Sequence, residues 1–206
     1  PSGLISAAEK SGQISHLDYV MVAAASARLQ GQPDPAFRLA VNVSGDSIQN
    51  ISVVEELRAV ITGHAFDRSR LILEITESCE IEDIEAASRA VTMLRDSGIS
   101  VALDDFGAGA ASFNYLRSLD VDSLKFDGSF LKASTMNIRT QALLRNISRM
   151  CAELNISSVG ERVETQGELR FLQETGVRYA QGYLFGQPRI DEDFFVRRRT
   201  SAKNAA

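Results

Sequence analysis

Acidic residues recur in this chain at one kind of place, the end of a short apolar run. The runs read Leu73-Glu74-Ile75-Thr76-Glu77, Leu103-Asp104-Asp105-Phe106-Gly107 and Val159-Gly160-Glu161-Arg162-Val163-Glu164. Three more runs carry other polar residues at the matching place: Val41-Asn42-Val43-Ser44, Leu124-Lys125-Phe126-Asp127 and Ala180-Gln181-Gly182-Tyr183. A single buried carboxylate is commonly a structural ion pair. Six polar strand ends on one rim are poorly explained that way, because burying unpaired charge costs on the order of several kcal/mol per group. Glu74, Asp104, Asp105 and Glu161 would converge near Asn42, with Lys125 as the one nearby cation. Such carboxylates cannot all stay ionised without a counter-charge. Oxygen ligands free of histidine and cysteine suit hard cations, Mg²⁺ or Mn²⁺. Adjacent carboxylates such as Asp104-Asp105 can serve two ions, the first bridging. Two ions about 4 Å apart suit in-line attack of water on a phosphodiester, and they offset the repulsion between an acidic rim and an anion.

These residues need a scaffold that presents strand ends together. Strand-like runs occur at Arg38–Ser44, Arg70–Glu77, Ser100–Asp105, Ser123–Asp127, Ile156–Glu161 and Tyr179–Gly182. Helical spacing occupies Ser15–Leu29, Val53–Ile61, Ile84–Leu94, Phe113–Leu116, Thr140–Leu154 and Glu168–Glu174. Ser97-Gly98 and Thr175-Gly176 read as helix C-caps, and Thr165 with Glu168 as a capping box. Alternating strands and helices imply a parallel sheet under helices, either open and doubly wound or closed as a (β/α)₈ barrel. An open sheet places its ligand at one switch point, whereas a barrel draws on the ends of many strands. The polar rim therefore favours the α/β (β/α)₈ barrel. Side-chain parity agrees: Ala40, Asn42 and Ser44 share a face, as do Ile72, Glu74 and Thr76, and Ala102 and Asp104. Leu39, Val41, Leu71, Leu73, Val101 and Leu103 are left to pack under helices.

Composition narrows the function. Of 206 residues, 44% are hydrophobic and 24% charged, which is ordinary for a globular chain with one sizeable core. A net charge of −5 argues against a protein whose main affinity is for polymeric nucleic acid. No apolar run approaches the ~20 residues of a membrane span, and no secretion signal opens the chain, so a cytoplasmic protein without membrane contact of its own is expected. Cys79 and Cys151 lack metal spacing and read as reduced, mostly buried thiols. Two histidines, His16 and His64, make a histidine-based zinc site or a Ser–His–Asp triad a poor fit. Gly31–Pro35 and the tail 197–206, which opens with three arginines, read as the loose parts; residues 1–196 read as one domain.

At these residues the sequence resembles the EAL domain, the cyclic di-GMP phosphodiesterase family. The resemblance is carried in order by Ala8-Glu9-Lys10-Ser11-Gly12, Val41-Asn42-Val43-Ser44, Glu74-Ile75-Thr76-Glu77-Ser78, Asp104-Asp105-Phe106-Gly107, Leu124-Lys125-Phe126-Asp127, Val163-Glu164-Thr165 and Gln181-Gly182-Tyr183. It implies that Asn42, Glu74 and Asp104 hold one metal ion, and that Asp104, Asp105 and Glu161 hold a second. Lys125 would orient the attacking water, and Glu77 would brace the loop after Gly107. Gln181, Glu164 and Asp127 would serve the bound dinucleotide. The implied reaction opens one phosphodiester of cyclic di-GMP to give linear pGpG with Mg²⁺ or Mn²⁺. A homodimer, or attachment to a regulatory domain, is the implied setting.

The departures from the family point elsewhere. The Glu-Ala-Leu strand that names the family is not in this chain, and Pro1 matches a segment just after it. Six strands against the eight of a ~250-residue barrel imply that two strands and roughly 40 residues lie ahead of Pro1 or have been lost. Ala108-Gly109-Ala110-Ala111-Ser112 replaces a loop that is richer in hydroxyls in many members, and Arg162 stands where the family usually has glycine. Two functions therefore stay open: a two-metal hydrolase in its complete form, and a catalytically inactive receptor that binds cyclic di-GMP and relays it to a partner. A scaffold with neither activity is a third reading, opposed by the retained rim.

Overall fold

The strand-forming runs align as one parallel sheet, because each is separated from the next by a segment whose apolar stripe must be buried against it. The computed structural model describes residues 2–76, 81–107 and 112–188. In chain order the elements are α1 (Ser2–Lys10), α2 (Ile14–Gln30), β1 (Leu39–Val43), α3 (Gly45–Ile48), α4 (Ile51–Thr62), β2 (Leu71–Thr76), α5 (Ile84–Asp96) and β3 (Ser100–Phe106). They continue as α6 (Ser112–Ser118), β4 (Ser123–Phe126), α7 (Gly128–Met136), α8 (Ile138–Glu153), β5 (Ser157–Gly160), α9 (Gln166–Thr175) and β6 (Tyr179–Ala180). All pairings are parallel and the strand order is the chain order, β1 to β6. This is the winding of a (β/α) barrel rather than of a doubly wound sheet, in which the order reverses at a switch point. Among the described residues β1 and β6 are the two edges.

One face of the sheet is the apolar core. Leu71, Leu73 and Ile75 of β2, Val101 and Leu103 of β3, and Leu124 and Phe126 of β4 are wholly buried with Val54, Leu57 and Ile61 of α4, Ala90, Val91 and Leu94 of α5, and Leu144 of α8. Each such leucine or phenylalanine contributes on the order of 2–3 kcal/mol by leaving water. The other face carries Ala40, Asn42, Ile72, Glu74, Ala102, Asp104 and Lys125, as alternation along a strand requires. On edge strand β1 this alternation shows most plainly: Val41 and Val43 are buried while Ala40 and Asn42 are exposed.

Side chains close the helix starts. Asn50 accepts from the Ser52 and Val53 amides, Asp83 from Ala86, and Asn137 from Arg139 and Thr140. The Thr165–Glu168 capping box forms, and Gly176 takes the left-handed conformation that ends α9. Gly98, at φ +84°, ends α5 in the same way, and the Ile99 amide donates back to the Leu94 carbonyl. The segment 31–35, expected to be loose, is a loop but a fastened one. Buried Arg70 donates from Nε to the Phe37 carbonyl at 2.8 Å and from Nη2 to the Asp34 carbonyl at 2.8 Å. Cys151 is buried, and burial pushes its thiol up to about 11. Cys79 and the tail 197–206 lie outside the described residues.

Candidate metal and phosphodiester site

The polar strand ends meet. Asn42 pairs in register with Glu74, Glu74 with Ala102, and Thr76 with Asp104. Lys125 follows on β4 and Glu161 comes directly after β5. Lys125 is only 6% exposed. Its Nζ lies 2.7 Å from Glu161 Oε1, 2.8 Å from Glu74 Oε1 and 3.0 Å from Asp104 Oδ1. Three N–H donors thus meet carboxylates from three different strand ends. The packing that forces this is simple: Leu124 and Phe126 point into the apolar core, so Lys125 between them must point to the other face.

Asp105 joins the group by a different device. Strict alternation would send it to the opposite face from Asp104. Instead the β3–β4 register shifts between Leu103 and Phe106, and Asp105 adopts φ +55°. A bulge of this kind re-aims a side chain. Carboxylate oxygens of Asp104, Asp105 and Glu161 consequently lie within 4.8 Å of one another. Three carboxylates at that separation, with no histidine or cysteine among them, fit a hard divalent cation. Glu74 reaches the group through Lys125. Gly107, at φ +96°, turns the chain out of β3; a Cβ there would lie 2.8 Å from the Phe130 ring, so the exit needs glycine.

The electrostatics are those of a site short of positive charge. Burial raises the Glu74 carboxyl above its ordinary range despite the hydrogen bond from Lys125, and Asp104 and Asp105 push it the same way. Glu161 is raised for the same reason, burial first. Asp105 is raised by burial and by the charges of Asp104 and Asp127. Burial alone would depress the Lys125 ammonium, but the hydrogen bonds to Glu161 and Glu74 outweigh it and hold the group protonated. Carboxyls pushed up together are the groups a bound cation would relieve.

The remaining expected site residues fall around this centre. Gln181 is exposed just after β6; its amide donates to the Gly160 carbonyl at 2.9 Å and its carbonyl accepts from Val163 at 3.0 Å. It lines a groove of about 540 Å³ with Val159, Tyr179 and Phe185. Glu164 is exposed, and its amide donates to Glu168 Oε2 at 2.8 Å. Asp127 is buried and caps α7: its Oδ1 accepts from the Ser129 amide at 2.8 Å and from the Ser129 hydroxyl. Burial opposes its ionisation, but Ser129 and Arg162 together hold it below the usual carboxylate range. The Glu77 position lies outside the described residues.

One participant escaped the sequence reading. Asp18 on α2 is buried, and its Oδ2 accepts from the Ser44 amide at 2.9 Å, the Ser44 hydroxyl at 2.7 Å and the Ser47 hydroxyl at 2.7 Å. It thereby pins the end of β1 two residues beyond Asn42. Its signal was present: Asp18 shares the helical stripe of Ile14 and Val22, where an acid is out of place unless it is bonded.

With this geometry in hand, comparison with known proteins gives a consistent family. The family described as the EAL domain matches residues 1–188. Cyclic di-GMP phosphodiesterase PdeB of Shewanella oneidensis is 37% identical over 150 residues, 73% of this chain and 18% of that protein. Cyclic di-GMP phosphodiesterase NbdA of Pseudomonas aeruginosa is 34% identical over 193 residues, 91% of this chain and 24% of that protein. The chain thus spans about a quarter or less of the length of these curated relatives. Among solved structures, the MucR phosphodiesterase in complex with c-di-GMP superposes with a TM-score of 0.83 at 30% identity, covering 94% of this chain and 85% of that one. The EAL domain of DcpA from Mycobacterium smegmatis gives 0.73 at 30% identity, covering 88% and 82%. Fold, rim and comparisons agree: the chain belongs to the EAL domain family, with the parallel sheet of its TIM-barrel-like fold.

Proposed function

We propose that this domain binds cyclic di-GMP at the rim formed by the ends of β1 to β6 and, in its complete form, hydrolyses one phosphodiester to linear pGpG. The observation that carries the reading is the gathering of Glu74, Asp104 and Glu161 on the Lys125 ammonium, with Asp105 turned in beside them. Asp104, Asp105 and Glu161 would hold one divalent cation, Mg²⁺ or Mn²⁺, and Asn42, Glu74 and Asp104 another. The ions would supply Lewis acidity and a water nucleophile usable near neutral pH. Lys125, once its carboxylates are shared with metal, has donors to orient that water. Gln181 and Glu164 face the nucleotide from the β6 side, and Glu77 would brace the loop after Gly107. Asp127 serves indirectly, through the start of α7. We place the domain in the cytoplasm, as one part of a longer regulated protein or as a homodimer. Among the described residues no helix is long and apolar enough to cross a membrane.

A second reading has its own observation. Lys125 already bridges Glu74, Asp104 and Glu161 without a metal ion, an arrangement suited to a receptor that binds the dinucleotide without turning it over. Incubation with cyclic di-GMP and Mg²⁺ or Mn²⁺, followed by chromatography, tests both. The hydrolase reading expects pGpG, abolished by Glu161→Gln. Binding by calorimetry in EDTA with no product selects the receptor. Neither product nor binding rejects the site as one for this ligand.

A further inference from the structure

Arg162 holds a backbone conformation that its side chain makes costly. Its φ is +53°, in the left-handed region that glycine enters freely and a long side chain does not. The neighbouring chain is shaped around it. A Cβ on Gly128, at the start of α7, would fall 2.6 Å from Arg162 Cδ and 2.7 Å from its Cβ, so that glycine leaves the room in which the arginine stem lies. The side chain nevertheless ends in solvent, 67% exposed. Its Nη2 stands 3.5 Å from Asp127 Oδ2, longer than the ~2.7–2.9 Å of a strong charge-assisted bond, while the other Asp127 oxygen is committed to Ser129. Most of the five guanidinium donors are therefore unspent.

The other cation of the rim has none to spare, since Lys125 places its ammonium on Glu74, Asp104 and Glu161. Arg162 directly follows Glu161, and its charge is felt by Asp105 as well as Asp127. A bare brace for Asp127 would not need a strained backbone and an exposed fork. We infer that Arg162 is a substrate-contacting residue whose guanidinium takes a phosphodiester oxygen of the cyclic dinucleotide and holds it against the Asp104–Asp105–Glu161 cluster. The inference rests on the reading of the rim as a cyclic dinucleotide site. It assigns the task to Arg162, since the anionic part of that ligand must come to a surface dominated by carboxylates.

The test is calorimetric titration with cyclic di-GMP in EDTA, where metal-dependent turnover cannot run, at 50 and 300 mM NaCl. Arg162→Gln keeps a polar side chain but shortens it and loses the charge; it should weaken binding about tenfold or more and flatten the salt dependence. Arg162→Lys should retain most of the affinity. Arg162→Gly relieves the left-handed strain, so its Tm should equal or exceed that of the unsubstituted chain while binding falls as for Arg162→Gln. Should the unsubstituted chain turn over substrate yet bind too weakly in EDTA, the same loss is read as a raised KM for Arg162→Gln at little-changed kcat. Equal affinity of Arg162→Gln and the unsubstituted chain overturns the inference and leaves the site reading intact. A lowered Tm in both Arg162→Gln and Arg162→Gly, with binding lost only in proportion to unfolding, makes Arg162 a brace and also overturns it. No binding or turnover by the unsubstituted chain removes the site reading, and this inference with it.

Discussion

Lys125→Met is the perturbation that separates a shared acidic site from three independent ion pairs. Methionine keeps the buried stem and deletes the ammonium, leaving Glu74, Asp104 and Glu161 without the donor now 2.7–3.0 Å from each. All four side chains are at most 13% exposed, so water can compensate little. Removing one partner of a buried pair costs ~3–5 kcal/mol. Glu74 and Glu161 can escape part of that by taking up a proton, since burial already raises both carboxyls. A loss of about 2–4 kcal/mol near neutral pH follows, read as a fall of roughly 4–16 °C in Tm at ~2–4 °C per kcal/mol for a domain of this size. The sign with pH is fixed. A carboxyl whose folded pKa lies above its unfolded value destabilises the fold at high pH, and the deficit shrinks as pH falls through the raised value. Urea unfolding followed by circular dichroism, in EDTA and in Mg²⁺, measures all of this. Mg²⁺ should stabilise Lys125→Met by about 2.7 kcal/mol at a hundredfold excess over its Kd, and the unsubstituted chain by less at the same concentration. A variant as stable as its parent in EDTA, or one that gains no more from Mg²⁺, would refute the reasoning.

Three further outcomes are expected. Gly182→Ala should lose on the order of 3 kcal/mol or fail to accumulate as soluble protein, because its Cβ would lie 2.2 Å from the Val163 amide nitrogen and 2.3 Å from its carbonyl oxygen; thermal unfolding checks it. Asp18→Ala strips three donors of a buried acceptor and should lower stability by ~2–3 kcal/mol in urea unfolding. Mg²⁺ affinity, followed by calorimetry between pH 8 and pH 5, should fall with acid, since Asp105 and Glu161 are raised and must give up protons to bind metal.

The strands were legible because each is an apolar run that the sheet must bury: five of the six lie within the expected segments, and β3 runs one residue past its segment, to Phe106. So were the capping box and the Gly98 and Gly176 stops, which are local chemistry. Three helices were not. α1 carries a glycine in its first turn, α3 is four residues long, and α7 begins on Gly128 with serine and threonine along it, so propensity reads a loop. Asp127 supplies the start signal for α7, although it reads first as a site residue. In the site, alternation alone placed Asn42, Glu74 and Asp104 on their shared strand faces. It could not place Asp105, whose position depends on a bulge between β3 and β4 that no local pattern announces. The Asp18–Ser44 and Arg70–Phe37 bonds join residues 26 and 33 positions apart, and only the folded chain brings them together.

Acidic groups from separate strand ends either share a cation or they do not, and Mn²⁺ titration by calorimetry asks this directly. The unsubstituted chain should bind Mn²⁺, and Asp105→Asn and Glu161→Gln, altered on different strands, should each weaken it by about tenfold or more. Mn²⁺ affinity unchanged by both substitutions would contradict the account.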